Sequence, residues 1–344
     1  MRINLMKVNI KSPWMWLVIF ALITPLFSLL FGAANLSATD VAVCLFSDCH
    51  DEISKVIFWD IRFPRVAVGF LVGAALSLAG ATLQNVTRNG LADPYLFGVV
   101  SGAGLGAAIA TVFINNVLRV PTDAKGEAFA IALPLAAFLG ALLAVSLVLI
   151  LARTTFGRKV EHMLLAGVAV SFMLSALSHF ILYVGDPFAA NQVVFWLMGS
   201  LARAEVWYAW VMLPIVAICM SLLLLFGPQI DALLLGDENA LTLGVNVKYL
   251  RVLCLTICAG LTACVVAYCG GIGFVGLMIP HIVRNWIGVT SRALLLGSAL
   301  FGGIFMVLVD VFARVAIDGQ EIPIGIITSA IGSVFFLLAM KQRG

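Results

Sequence analysis

Charge is what this 344-residue chain has least of: Asp, Glu, Lys and Arg make up 11%, against about 25% in soluble domains. Apolar residues reach 62%, against roughly 45–50% in soluble domains. That balance excludes a soluble globular protein and leaves little chain for any extramembrane domain. The net charge of +3 is small for the length. Nucleic acid is therefore excluded as a partner, since its usual footprint is a clustered basic face. No GxxxxGK[ST] loop occurs, so the chain has no phosphate cradle with which to hydrolyse ATP by itself. HExxH is also missing, which excludes that type of intramembrane metalloprotease. Carboxylates within the apolar runs are few, whereas a proton- or sodium-driven carrier needs them near mid-membrane. Asp310 precedes Arg314 by four residues, a spacing that suits a local ion pair with a structural role. His179 stands alone on an apolar stretch and reads as a hydrogen-bonded helix contact. No nucleophile and base occur together in a recognisable set.

What is there is a series of apolar windows. Their approximate limits are Trp14–Phe31, Pro64–Gln84, Tyr95–Ile114, Ala128–Ala152, Met163–Val184, Val206–Phe226, Val252–Cys269, Ile272–Arg284, Ala293–Val309 and Ile322–Met340. The pattern predicts an all-α polytopic membrane protein with about ten transmembrane helices, residues 1–344 forming one transmembrane domain. The basic start followed by an apolar run resembles a cleaved signal peptide. Trp14–Phe31 is nevertheless long enough to span, and it is read as the anchored first helix. An even number of spans places both termini on one side. With that side cytoplasmic, thirteen of the twenty Lys and Arg lie inside and seven outside, in agreement with the positive-inside rule.

Residues Ile230–Leu250, IDALLLGDENALTLGVNVKYL, interrupt the apolar pattern and fall in the cytoplasm. Gly236 and Asp237 are expected to start a short helix that the Asp side chain caps, Gly244 to end it in a left-handed conformation, and Asn246 to cap the next one. A loop of capped helices suits docking better than mere connection, the plainer reading being an ordinary connector. The outside cations Arg62 and Arg65, at the start of the second span, and Arg314, after the ninth, read either as interfacial snorkelling or as a cationic rim for an acidic partner. Ser101–Gly106, SGAGLG, has the spacing of a dinucleotide fingerprint but no preceding strand, so its glycines read as close helix packing. Gly270, Gly271, Gly273 and Pro280 mark a broken or partial helix that borders a pathway. The same reading applies to Asn89–Pro94. Cys44 and Cys49 share an outside loop where a disulfide is open to them, although spacing alone does not establish it. The other five cysteines read as small buried apolar residues.

Several long blocks agree in order with one known family. IRFPRVAVGFLVGAALSLAGATLQNVTRNGLADPYLFGVVSGAGLGA from Ile61, LLAGVAV from Leu164, LLLGDENALTLGV from Leu233, GGIGFVGLMIPHIVR from Gly270 and EIPIGIITSAIGSVFFLLAM from Glu321 resemble the FecCD-type permeases. These are the iron-chelate, haem and cobalamin permeases of binding-protein-dependent ABC importers. The resemblance runs from Ile61 to the end of the chain. It implies a ten-helix permease of the type II importer fold that pairs with a second copy or close relative, with a translocation pathway between the two. Residues 230–250 then form the coupling-helix loop that seats on an ATP-binding cassette ATPase, through Leu235, Gly236, Asp237, Glu238, Asn239, Ala240, Leu241 and Gly244. ATP and Mg would be bound by that ATPase and no cofactor by this chain, which is a transport subunit and not an enzyme. Arg62, Arg65 and Arg314 match arginines that face glutamates of a periplasmic binding protein. An inner gate falls just before the fifth span, at Val160 and Glu161. There the charged run Arg158, Lys159, Val160, Glu161, His162 departs from the small hydroxylic residues of a cobalamin-type relative. The expected cargo is an iron(III)-siderophore or similar chelate, crossing the inner membrane. Haem, cobalamin or molybdate are alternatives, as is an ion-gradient-driven carrier.

Overall fold

The computed structural model describes residues 13–32, 36–49, 51–114, 122–154, 160–185, 187–317 and 319–341. The side chains of 122–130, 152–154, 160–164, 188–189 and 340 lie outside the described set.

Each of the ten apolar windows becomes a helix. They are α1 (Pro13–Ser28), α4 (Phe63–Thr87), α5 (Val99–Val112), α6 (Thr122–Thr154), α7 (Val160–Val184), α9 (Val206–Leu225), α12 (Val247–Cys269), α13 (Val275–Trp286), α14 (Ser291–Val315) and α15 (Ile324–Lys341). Six of the described helical stretches are long and apolar enough to cross a membrane by length and composition. α1, α5 and α15 are shorter apolar helices, and α13, at 12 residues, is a half-span.

Among the described residues, five short α-helices join them, together with a π-helical turn at Ile57–Arg62 and a 3-10 turn at Pro94–Phe97. α2 (Ala38–Phe46) and α3 (Glu52–Val56) precede α4, α8 (Pro187–Leu197) follows α7, and α10 (Gly227–Leu234) and α11 (Asp237–Thr242) lie between α9 and α12. Stretches 36–56 and 187–197 held no helix in the sequence reading, because each is too short or too polar to give a spanning signal. One boundary is corrected. α14 continues to Val315, so Arg314 is its penultimate residue rather than a residue beyond it.

α4 is the centre of the fold. It packs most extensively against α14 and also against α12, α13 and α9. Twenty of its residues are buried, almost without regard to face, which is the signature of a helix enclosed by others. Small residues make the enclosure possible. A Cβ added at Gly80 would overlap the Gly276 carbonyl of α13, and one at Gly73 the Gly302 carbonyl of α14. Without a hydrophobic driving force between helices in lipid, such close backbone approach supplies the packing energy.

Three departures from helix meet beside this centre. The chain leaves helix from Gly270, at φ +72°, to Gly273 between α12 and α13, turns at 198–205 after α8, and forms a 3-10 turn at Pro94–Phe97 before α5. Tyr95 Oη accepts a hydrogen bond from Ile272 N–H at 3.1 Å, and Ser200 N–H donates to the Cys269 carbonyl at 2.9 Å. These bonds satisfy backbone groups that a helix break leaves open, as a membrane-embedded break requires. Leu197, Met198, Gly271, Gly325, Ile326 and Ser329 line a shallow cavity of about 400 Å³ at this junction. In the turn before it, Asp93 Oδ1 accepts a hydrogen bond from Tyr95 N–H at 2.8 Å.

Cys44 and Cys49 are disulfide-bonded, the possibility the sequence left open. They close a small arm that packs through Val41, Cys44 and Phe58 against Leu29, Val66 and Val307. The remaining cysteines are free, with Cys254, Cys258, Cys264 and Cys269 buried and Cys219 partly so. His179 lies on a face of α7 that is exposed in the single chain, as are Phe172, Phe180 and Tyr183.

Candidate functional site

Two charged constellations stand at opposite ends of α4. At the first, Pro64 lies in the first turn of α4, directly after the π-helical turn Ile57–Arg62 that joins α3 to it, and Arg62 and Arg65 leave the chain on either side of it. Arg65 Nε donates to Asp310 Oδ1 at 2.8 Å, and its Nη1 donates to both oxygens of Glu321 at 2.8 and 2.9 Å. Arg314, one turn after Asp310, places Nη2 3.1 Å from Asp310 Oδ2 in the i,i+4 pair that the spacing predicts. Its other donors go to the Phe31 carbonyl at 2.7 Å and Ser28 Oγ at 2.8 Å. Arg62 Nη1 donates to the Leu29 carbonyl at 2.5 Å. One carboxylate thus gathers two guanidinium groups from α4 and α14, while two arginines hold the end of α1.

The structure brings Arg62, Arg65 and Arg314 together, but not as an exposed rim. Their exposures are 3, 5 and 7%, and each donates to a group of this chain. An isolated buried charge is very costly, and pairing is what permits it. Neither snorkelling nor an open cationic surface describes them. Two of the guanidinium groups, Arg65 and Arg314, face the carboxylates Asp310 and Glu321. Only Glu321 is open to its surroundings, at 39% exposure. Spacing gave no sign of Glu321, because it lies 256 residues from Arg65 in sequence.

The second constellation is the loop 230–250. α10 is tied down where Asp231 Oδ1 accepts from Ser291 N–H at 2.7 Å, at the start of α14. Gly236, at φ +110°, and Gly244, at φ +82°, bracket α11 in backbone conformations that glycine adopts without strain. Asn246 Oδ1 accepts from Tyr249 N–H at 3.1 Å and so caps α12 as expected. Asp237 does not cap α11. Its carboxylate takes Arg88 Nη2 at 2.9 Å and Arg251 Nη2 at 3.1 and 3.2 Å, because two guanidinium groups outcompete neutral N–H donors.

Ala240 is buried as the anchor of α11, whereas Leu235, Leu241, Leu243 and Tyr249 are exposed beside Glu238 and Asn239. Four large apolar side chains on a polar connecting loop form a surface suited to a partner. Arg88 and Arg251 were missed as part of this site, since in sequence they are simply cations flanking a span. For the gate, Val160 and Glu161 begin α7 but their side chains lie outside the described residues, as do Arg158, Lys159 and His162.

The sequence model of the FecCD transport family matches residues 19–342. The chain belongs to the FecCD family. Among its relatives, a cobalamin import system permease protein of Halobacterium salinarum is 38% identical over 292 residues, which are 85% of this chain and 75% of the relative. A probable iron chelatin transport system permease protein of Helicobacter pylori is 36% identical over 92% of this chain and 94% of its own length. A solved structure described as a metal-chelate type ABC transporter in an inward-facing conformation superposes with a TM-score of 0.82. It is 30% identical and covers 95% of this chain and 98% of its own.

This FecCD protein is therefore the membrane-spanning permease subunit of an ABC importer, and ATP hydrolysis belongs to a separate subunit. Membership also implies ATPase and binding-protein partners and a permease dimer.

Proposed function

We propose that this permease imports an iron(III)-siderophore or a similar metal chelate across the bacterial cytoplasmic membrane, with both termini cytoplasmic. A periplasmic binding protein delivers the cargo to the Arg65 end. ATPase subunits, which bind ATP and Mg, seat on the Asp237 end. The observation that carries this assignment of ends is the exposed Leu235, Leu241, Leu243 and Tyr249 surface, fixed on a loop outside the spans. The bias of Lys and Arg toward that side supports the orientation. At the opposite end, a binding-protein carboxylate reaches Arg65 by displacing the exposed Glu321. Arg62 and Arg314 hold that end in place from below. Access alternates by rigid-body movement of packed helices in two permease copies.

The iron-chelate reading draws on the Helicobacter pylori relative and on the metal-chelate transporter structure. Cobalamin is the second reading, favoured by the Halobacterium salinarum relative. Uptake of labelled ferric siderophores, haem, cobalamin and molybdate by a strain with and without the gene separates them. Loss of ferric-siderophore uptake alone is expected. Loss of cobalamin uptake alone would move the assignment to the second reading, and no loss of any cargo would contradict both.

A further inference from the structure

α11 is a six-residue helix hung between two glycines, Gly236 and Gly244, both at positive φ. A Cβ at Gly244 would meet nothing within 4 Å. Such joints let a short helix swing unless side chains tie it to the spans. Asp237, its first residue, makes that tie in two directions. Arg88 terminates α4 in a left-handed conformation, φ 53°, where glycine is the usual residue. From that position its guanidinium reaches Asp237 at 2.9 Å. Arg251, one turn into α12 and 14% exposed, reaches the same carboxylate at 3.1 Å.

The two tied spans are packed on one another in the centre of the fold. α4 also runs unbroken from Arg88 to Arg65, 23 residues or about 34 Å at 1.5 Å per residue. Its far end carries the Asp310 and Glu321 pairs. A displacement of α11 is therefore handed to a rod whose other end is the opposite face of the molecule.

We propose that Arg88 and Arg251, acting through Asp237, form a latch that converts movement of α11 into movement of α4 and α12, and that they are positioning residues for transport. This rests on the reading of 230–250 as the ATPase seat. The Arg88–Asp237 pair is well exposed on both sides and contributes little to stability, so opening it leaves the fold intact and removes that linkage.

The test uses the full complex of permease, ATPase and binding protein in proteoliposomes, with a labelled ferric siderophore as probe and cargo moved per ATP hydrolysed as the readout. Arg88→Gln and Arg251→Gln are each expected to lower that ratio at least fivefold with the ATPase still co-purifying. Arg88→Lys, which keeps the charge, should stay within twofold of the wild type. A ratio unchanged in the Arg88→Gln/Arg251→Gln double variant would overturn the latch. So would loss of the ATPase from either single variant, because the arginines would then shape the seat itself. Failure of the wild-type chain to retain the ATPase would instead defeat the reading of the seat.

Discussion

Asp310 is the residue on which the Arg65 end depends. Its carboxylate is 1% exposed and lies between Arg65 and Arg314, themselves nearly as buried. Replacing it with Asn leaves two guanidinium groups buried without their shared counter-ion, a change that costs about 3–5 kcal/mol where a buried pair is broken. Glu321 differs because its carboxylate is 39% exposed, and solvent screening limits such a pair to about 1 kcal/mol or less. Thermal unfolding of the purified variants in detergent should show a large drop in midpoint for Asp310→Asn and a small one for Glu321→Gln. Equal shifts would show that Asp310 does not hold the cluster together. The i,i+4 pair between Asp310 and Arg314 was legible in the sequence, as a local spacing can be. The triangle with Arg65 was not, because α4 and α14 are brought side by side only by tertiary packing. The arginines thus read as surface groups until their partners are seen.

At the scale of elements, existence was more legible than extent. All ten apolar windows are helices, since a run of apolar residues in lipid has no other way to satisfy its backbone. Their ends were less clear. α12 starts at Val247 rather than near Val252, and α14 runs on through Arg314. In both cases polar residues continue a helix whose buried side faces protein, so hydropathy falls before the helix does. The glycine runs were read correctly as packing devices, but which helices they join was not visible. Gly80 faces Gly276 and Gly73 faces Gly302, nearly two hundred residues or more away in sequence. Gly80→Leu should therefore force α4 and α13 apart at a cost of about 1–3 kcal/mol or more, as overpacking does. Gly260→Leu, at a site with no atom near a new Cβ, should cost much less. Comparable loss of detergent-resistant folded protein in the two variants would contradict close α4–α13 packing as the source of the effect.

For the molecule as a whole, a single buried helix runs from a charged cluster at one end to an exposed apolar surface at the other. That layout suits a conduit worked from both ends and powered from outside itself. The charge and motif shortages of the sequence already pointed there, since a chain with scarce intramembrane carboxylates and no phosphate-binding loop must borrow its driving force. The cargo was not legible at this scale, because an apolar pathway that admits a large screened chelate needs few polar groups. The most direct measurement is uptake of a labelled ferric siderophore into proteoliposomes holding the permease, its ATPase and its binding protein. The test compares ATP with a non-hydrolysable analogue, and the presence with the absence of an ionophore that collapses ion gradients. Uptake that requires hydrolysable ATP and survives the ionophore is the predicted result. Uptake that continues without ATP and stops when the gradient is collapsed would contradict the account.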